Sequence, residues 1–196
     1  MSDPVTILRQ EFPALGLVLG FASPDKRAIY ADLMLLWIEI NRARSSSENL
    51  IAAARITWWR DAVAENKPEG VPLATRMLDH QKISPQYYAD VLTQIINLTL
   101  QQSAEESVQM AFGQFFAEAF DCDAGDVGHI LHRLKLSLGG HSRFNQSKND
   151  GKKDGKGAMP KALRLIDWLC DKPSRLHYPE EHPMLALSMV FASFKV

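Results

Sequence analysis

The sequence predicts an all-α fold, and three observations lead there. Apolar residues recur at intervals of three and four along most of the chain, Pro24 and Pro85 stand where helices would begin, and no run alternates polar and apolar residues or clusters β-branched ones densely enough to build a sheet. With 196 residues, 46% of them hydrophobic and 23% charged, the chain can bury a substantial core as one domain spanning residues 1–196. The pattern accommodates seven or eight helices, too many for a strict four-helix bundle. A formal charge of -1 lacks the basic excess of a nucleic-acid binder, so no nucleic-acid partner is expected.

The first helix starts at Pro24, whose missing N–H costs nothing in a first turn, and "PDKRAIYADLMLLWIEINRAR" sets Ile29, Leu33, Leu36, Trp37 and Ile40 along a wide apolar face. A second runs from about Glu48 to Asn66 and is closed by "KPEG". "VPLATRMLDHQ" forms a short third. Ser84 is a natural N-cap with Pro85 at the first helical position, opening a helix with Tyr88, Val91, Leu92, Ile95 and Ile96 on one side. The rhythm continues through Val108, Phe112, Phe115, Phe116 and Phe120, and then through Val127, Ile130, Leu131 and Leu134. Residues 139–157, "GGHSRFNQSKNDGKKDGKG", are polar and glycine-rich and read as a flexible surface loop; their glycine spacing is not that of a phosphate-binding P-loop.

No stretch reaches the ~20 apolar residues of a membrane span. The late run "MLALSMVFASF", residues 184–194, is about half that length and reads as a core helix. No secretory leader is visible in "MSDPVTILRQEF", and Cys122 and Cys170 lack any metal-binding spacing, so the expected location is the cytoplasm with reduced thiols, or peripherally on a membrane.

Several chemistries fail on spacing. Asp121, Asp123 and Asp126 in "FDCDAGD" would begin an EF-hand only if an acidic residue stood where His132 does, so they read as helix caps. His129 and His132 share a helix at i, i+3 without a third ligand nearby, and no metal site is expected. No nucleophile elbow is present.

"NLIAAARITWWRDAV", residues 49–63, raises a sharper question. On a helix, Ile51, Arg55, Trp58 and Ala62 share one side and Trp59 is turned from Trp58 by about 100°. Trp58 is expected in the core, with Trp59 and Arg60 bordering a groove. Across the short "SSSEN" turn, the preceding helix supplies Glu39, Arg42 and Arg44. Guanidinium groups suit phosphate oxygens, while the same arginines could equally lie over apolar surface with no ligand at all. The candidate ligand-binding set is Glu39, Arg42, Arg44, Arg55, Trp59 and Arg60; no catalytic residue is assigned.

These residues carry a family resemblance. Glu39, Arg42, Arg44, Ser47, Glu48, Arg55, Trp58, Trp59, Arg60, Asp61 and Ala62 follow the order Glu-x-x-Arg-x-Arg, Ser-Glu, Arg, Trp-Trp-Arg-Asp-Ala. The block over residues 21–63 resembles the N-terminal region of the squalene/phytoene synthase family, in particular its divergent short branch. The resemblance implies an isoprenoid-synthase-like helical domain around a central cavity. In active members, two aspartate-rich motifs hold Mg²⁺ against a prenyl diphosphate. This chain departs from that pattern: "EINRARSSSEN" contains no Asp, and after Asp126 no acidic residue follows until Asp150, with Arg133 and Lys135 in the neighbourhood instead. Hard cations require oxygen ligands, so a Mg²⁺ cluster is not expected. The resemblance therefore implies a degenerate, non-catalytic member with no cofactor. It would bind an isoprenoid diphosphate, another lipid or a protein partner, with respiratory complex I assembly as a precedent in the branch, and peripheral membrane contact as a further expectation. The alternative is a Mg²⁺-dependent prenyltransferase relying on Glu39, Asp121, Asp123 and Asp126.

Overall fold

A computed structural model describes residues 3–65, 71–138 and 161–171. Over these residues the protein is all-helical: α1 (Pro4–Glu11), α2 (Pro13–Val18), a 3-10 turn (Leu19–Phe21), α3 (Pro24–Arg44), α4 (Asn49–Ala64), α5 (Pro72–Asp79), α6 (Pro85–Leu100), α7 (Glu105–Phe120), α8 (Ala124–Leu138) and α9 (Lys161–Cys170). The nine α-helices among the described residues are the six read from periodicity together with α1, α2 and α9. Segments 66–70, 139–160 and 172–196, which contain "KPEG", the glycine-rich loop and the late apolar run, lie outside the described residues.

Helix α3 is the central element, packed by α1, α4, α5 and α7. Every residue from Ile29 to Ile38 is buried, so the expected apolar face is in fact a full apolar girth. This placement fills the middle of the bundle with rings. Tyr30 packs edge-on against Phe116 at 5.5 Å, and Tyr88 lies 5.1 Å from Phe115. Neither tyrosine hydroxyl finds a hydrogen-bond partner among the described residues, and burial raises the pKa of both phenols.

The one charged side chain in the buried stretch of α3 is neutralised from α5. Asp32, 1% exposed, accepts from Arg76 Nε at 2.8 Å and from His80 Nε2 at 2.8 Å. Arg76 and His80 are one helical turn apart, so both reach the same carboxylate. A buried charge requires such pairing.

Caps form where the sequence places them. Ser84 Oγ accepts from the Tyr87 N–H at 3.2 Å, and Asp123 Oδ1 accepts from the Asp126 N–H at 3.0 Å ahead of α8. Asp121 closes α7 in a left-handed conformation, φ 56°. Two glycines then let α7 and α8 approach backbone to backbone: a Cβ at Gly113 would sit 2.3 Å from the Ala124 carbonyl oxygen, and one at Gly128 would sit 2.6 Å from Met110 Cα. Both cysteines are free and buried; burial pushes the thiol of Cys122 up to about 11 and that of Cys170 up to about 12.

Candidate functional site

Helices α3 and α4 together form a surface groove of about 330 Å³, lined by Glu39, Arg42 and Ala43 from α3 and by Arg55, Trp58 and Trp59 from α4. Four of the six candidate residues, Glu39, Arg42, Arg55 and Trp59, thus meet in one place. The other two do not line it, for reasons visible in their contacts.

Arg44 is drawn the other way, toward α6 and α7. Its Nη1 donates to Glu105 Oε1 at 2.7 Å and its Nε to Thr99 Oγ1 at 3.2 Å. Glu105 Oε1 also meets Lys135 Nζ at 2.7 Å and accepts from Gln109 Nε2 at 2.6 Å. Gln109 in turn accepts from the Trp37 indole N–H at 2.6 Å. Burial would raise the Glu105 pKa, but hydrogen bonds from Lys135 and then Gln109, with the charges around them, hold it down at about 2. Arg44 and Lys135 are therefore parts of an internal polar network. Arg60 pairs instead with its neighbour Asp61, Nε donating to Oδ1 at 2.8 Å.

Trp58 corrects the expectation that it enters the core. It is 49% exposed, whereas Trp59 packs partly against the core. The reason is the phase of α4. Its buried residues are Ala52, Ala53, Ile56, Ala62 and Val63, and Trp58 lies about 140° from the middle of that set at about 100° per residue. The small buried side chains Ala52 and Ala53 are the signal that identifies this face, and α4 packs on α6. The two indoles meet edge to face, centroids 5.2 Å apart, and together form the apolar wall of the groove.

The polar wall is uneven. Arg42 Nη1 donates to Glu39 Oε1 at 2.6 Å, and Nη2 donates to Glu11 Oε2 at 2.9 Å. Burial opposes its charge, but the carboxylates of Glu39 and Glu11 outweigh that and raise its pKa. Glu11, which no sequence motif marks, reaches the site because α1 packs on α3. Arg55, exposed on α4, has no ion pair among the described residues.

A Mg²⁺ cluster does not fit this groove. Its lining carboxylate is Glu39, already engaged by Arg42, and no group of three or more His, Cys, Asp or Glu side chains converges anywhere among the described residues. His129 is occupied by Glu106, 3.1 Å from its Nδ1. Arg133 pairs with Asp167 of α9 and with Asp171, just past the end of that helix. No helix among the described residues is long and apolar enough to cross a membrane. No protein-family model, curated protein or solved structure matches the chain.

Proposed function

We propose that the protein is a degenerate, non-catalytic relative of the squalene/phytoene synthases that holds an anionic amphiphile, an isoprenoid diphosphate or another lipid, in the groove between α3 and α4. The observation that carries this reading is the pairing of a cation that has no ion pair among the described residues with an apolar wall: Arg55 beside the edge-to-face indoles of Trp58 and Trp59. A guanidinium can take two oxygens of one phosphate in parallel hydrogen bonds. Indole rings offer a large apolar surface to a hydrocarbon chain. The carboxylate geometry supports binding over turnover, because Glu39 alone cannot hold the metal ions that would draw a diphosphate away from its carbon.

The test is titration with farnesyl and geranylgeranyl diphosphate, with and without Mg²⁺, following tryptophan fluorescence and pyrophosphate release. Binding independent of Mg²⁺, without release, and weakened about tenfold or more by Arg55→Ala is the expected result, given the strength of charge-assisted hydrogen bonds. Mg²⁺-dependent binding with release would establish a prenyltransferase instead. A flat fluorescence response at all concentrations would remove the amphiphile from the groove.

A further inference from the structure

The two walls of the groove carry opposite charge. On the α3 side the carboxylates of Glu39 and Glu11 share the single guanidinium of Arg42, which leaves one negative charge in excess. On the α4 side Arg55, with no ion pair among the described residues, leaves one positive charge in excess. Glu39 lines the groove itself, its side chain 37% exposed, and a carboxylate there weighs against a ligand that carries only negative charge. The indoles add a third element. Arg55 stands one turn ahead of Trp58 and Trp59, and at about 100° per residue its direction falls between theirs. Side chains three and four apart on a helix start about 5 to 6 Å from each other, so the guanidinium and both rings can serve one small ligand. The rings meet at 78° and form a two-sided corner. Among the described residues no cation of the chain lies over either indole; the cation–π contact there is Lys26 over Phe120.

We propose that the groove is a phosphocholine site, taking a phosphate ester with a quaternary ammonium group two carbons away. The inference rests on the reading of the groove as a phosphate-binding site and names the chemistry of what fills it. The phosphate accepts two parallel hydrogen bonds from Arg55. The trimethylammonium has no N–H to donate, so it is held by the electron-rich faces of Trp58 and Trp59, the surroundings that quaternary ammonium groups favour, with the Glu39 carboxylate as counter-charge. The two-carbon link matches the one-turn step from Arg55 to the indoles. A diphosphate would bring several negative charges to the same place and leave Glu39 opposed to them.

Isothermal titration calorimetry of the full chain compares phosphocholine with its neutral isostere, in which a tert-butyl group replaces the trimethylammonium. Phosphocholine should bind about tenfold more tightly, the worth of a partly desolvated cation–π contact. Arg55→Ala should weaken both ligands alike. Glu39→Gln should narrow the gap between them, by removing the counter-charge and releasing Arg42 to the phosphate. Dihexanoyl phosphatidylcholine, below its micellar concentration, separates two sources of the same chemistry: tighter binding than phosphocholine assigns the site to a lipid headgroup, equal binding to the free phosphate ester. Equal affinity of wild type for phosphocholine and the isostere would overturn the proposal, as would a gap untouched by Glu39→Gln. Farnesyl diphosphate, titrated alongside, tells this inference from the reading it rests on. Binding of farnesyl diphosphate without phosphocholine would refute the zwitterion and leave the amphiphile in the groove; binding of neither would refute both.

Discussion

Replacing Glu105 by glutamine would leave Arg44 and Lys135 facing each other without the carboxylate that each contacts at 2.7 Å. Its magnitude follows from the proton affinity of that carboxylate. Glu105 lies at about 2 in the folded protein against an ordinary 4.5. At about 1.4 kcal/mol for each tenfold in affinity, the ionised form contributes about 3 kcal/mol to folding. Part of this is offset at Lys135, where burial, with Arg44 nearby, lowers the pKa from 10.5 and so weighs against the folded state. The net cost of Glu105→Gln near neutral pH should be about 2 to 3 kcal/mol. A depressed carboxylate pKa stabilises fully above its unfolded value and loses that contribution as pH falls toward its folded one. The gap between wild type and variant should therefore narrow from pH 4.5 downward and close near pH 2. Urea denaturation of both proteins across that range measures it. A gap of less than about 1 kcal/mol at neutral pH, the size of an ordinary surface pair, would refute the reasoning. So would a gap that stays constant with pH.

Other substitutions separate costly buried groups from cheap exposed ones. Tyr30→Phe removes a buried hydroxyl with no partner among the described residues and should leave stability unchanged or raise it by about 1 kcal/mol in the same denaturant assay; a clear loss would mean that the hydroxyl is satisfied. Asp32→Asn strips the charge that Arg76 and His80 share and should cost about 3 to 5 kcal/mol, read as a lowered denaturation midpoint. A midpoint shift no larger than that of a surface substitution would contradict the buried pairing. Trp58→Ala, at a half-exposed position, should cost about 1 kcal/mol or less while diminishing the fluorescence response to farnesyl diphosphate. A loss of several kcal/mol would place this indole in the core after all.

How far the sequence could be read depended on which physical signal each element carries. Helix α3 is legible from Pro24 onward, and Ser84 with Pro85 marks the start of α6, because local caps and apolar spacing coincide there. The same signal stands ahead of α1 as Asp3 with Pro4, and Asp3 accepts from the Thr6 N–H at 3.1 Å; α2 carries only Pro13 at its first position, and both helices are short enough to pass as an irregular tail. Helix α4 resists reading because it is apolar nearly all the way round, so periodicity cannot decide which tryptophan faces inward. Its alanines decide it. At the groove, Glu39, Arg42, Arg55 and Trp59 are close because one short turn joins their helices. Glu11 and the Arg44 network depend on pairings between distant segments, Arg42 with Glu11 and Arg44 with Glu105, that no local pattern encodes.

The close approach of α7 and α8 also bears on the order in which the chain acquires its structure. Met110 and Gly128 meet across a hairpin whose connection is only Asp121 to Asp123, so little loop entropy opposes their encounter. Contacts of this kind form early, whereas α3 must wait for segments far along the chain, such as Gln109 and Phe116. The α7–α8 hairpin is thus the natural nucleus on which α3 condenses. A methyl group at Gly113 should act mainly on the folding rate, slowing the ascent to the transition state and leaving the unfolding rate nearly unchanged.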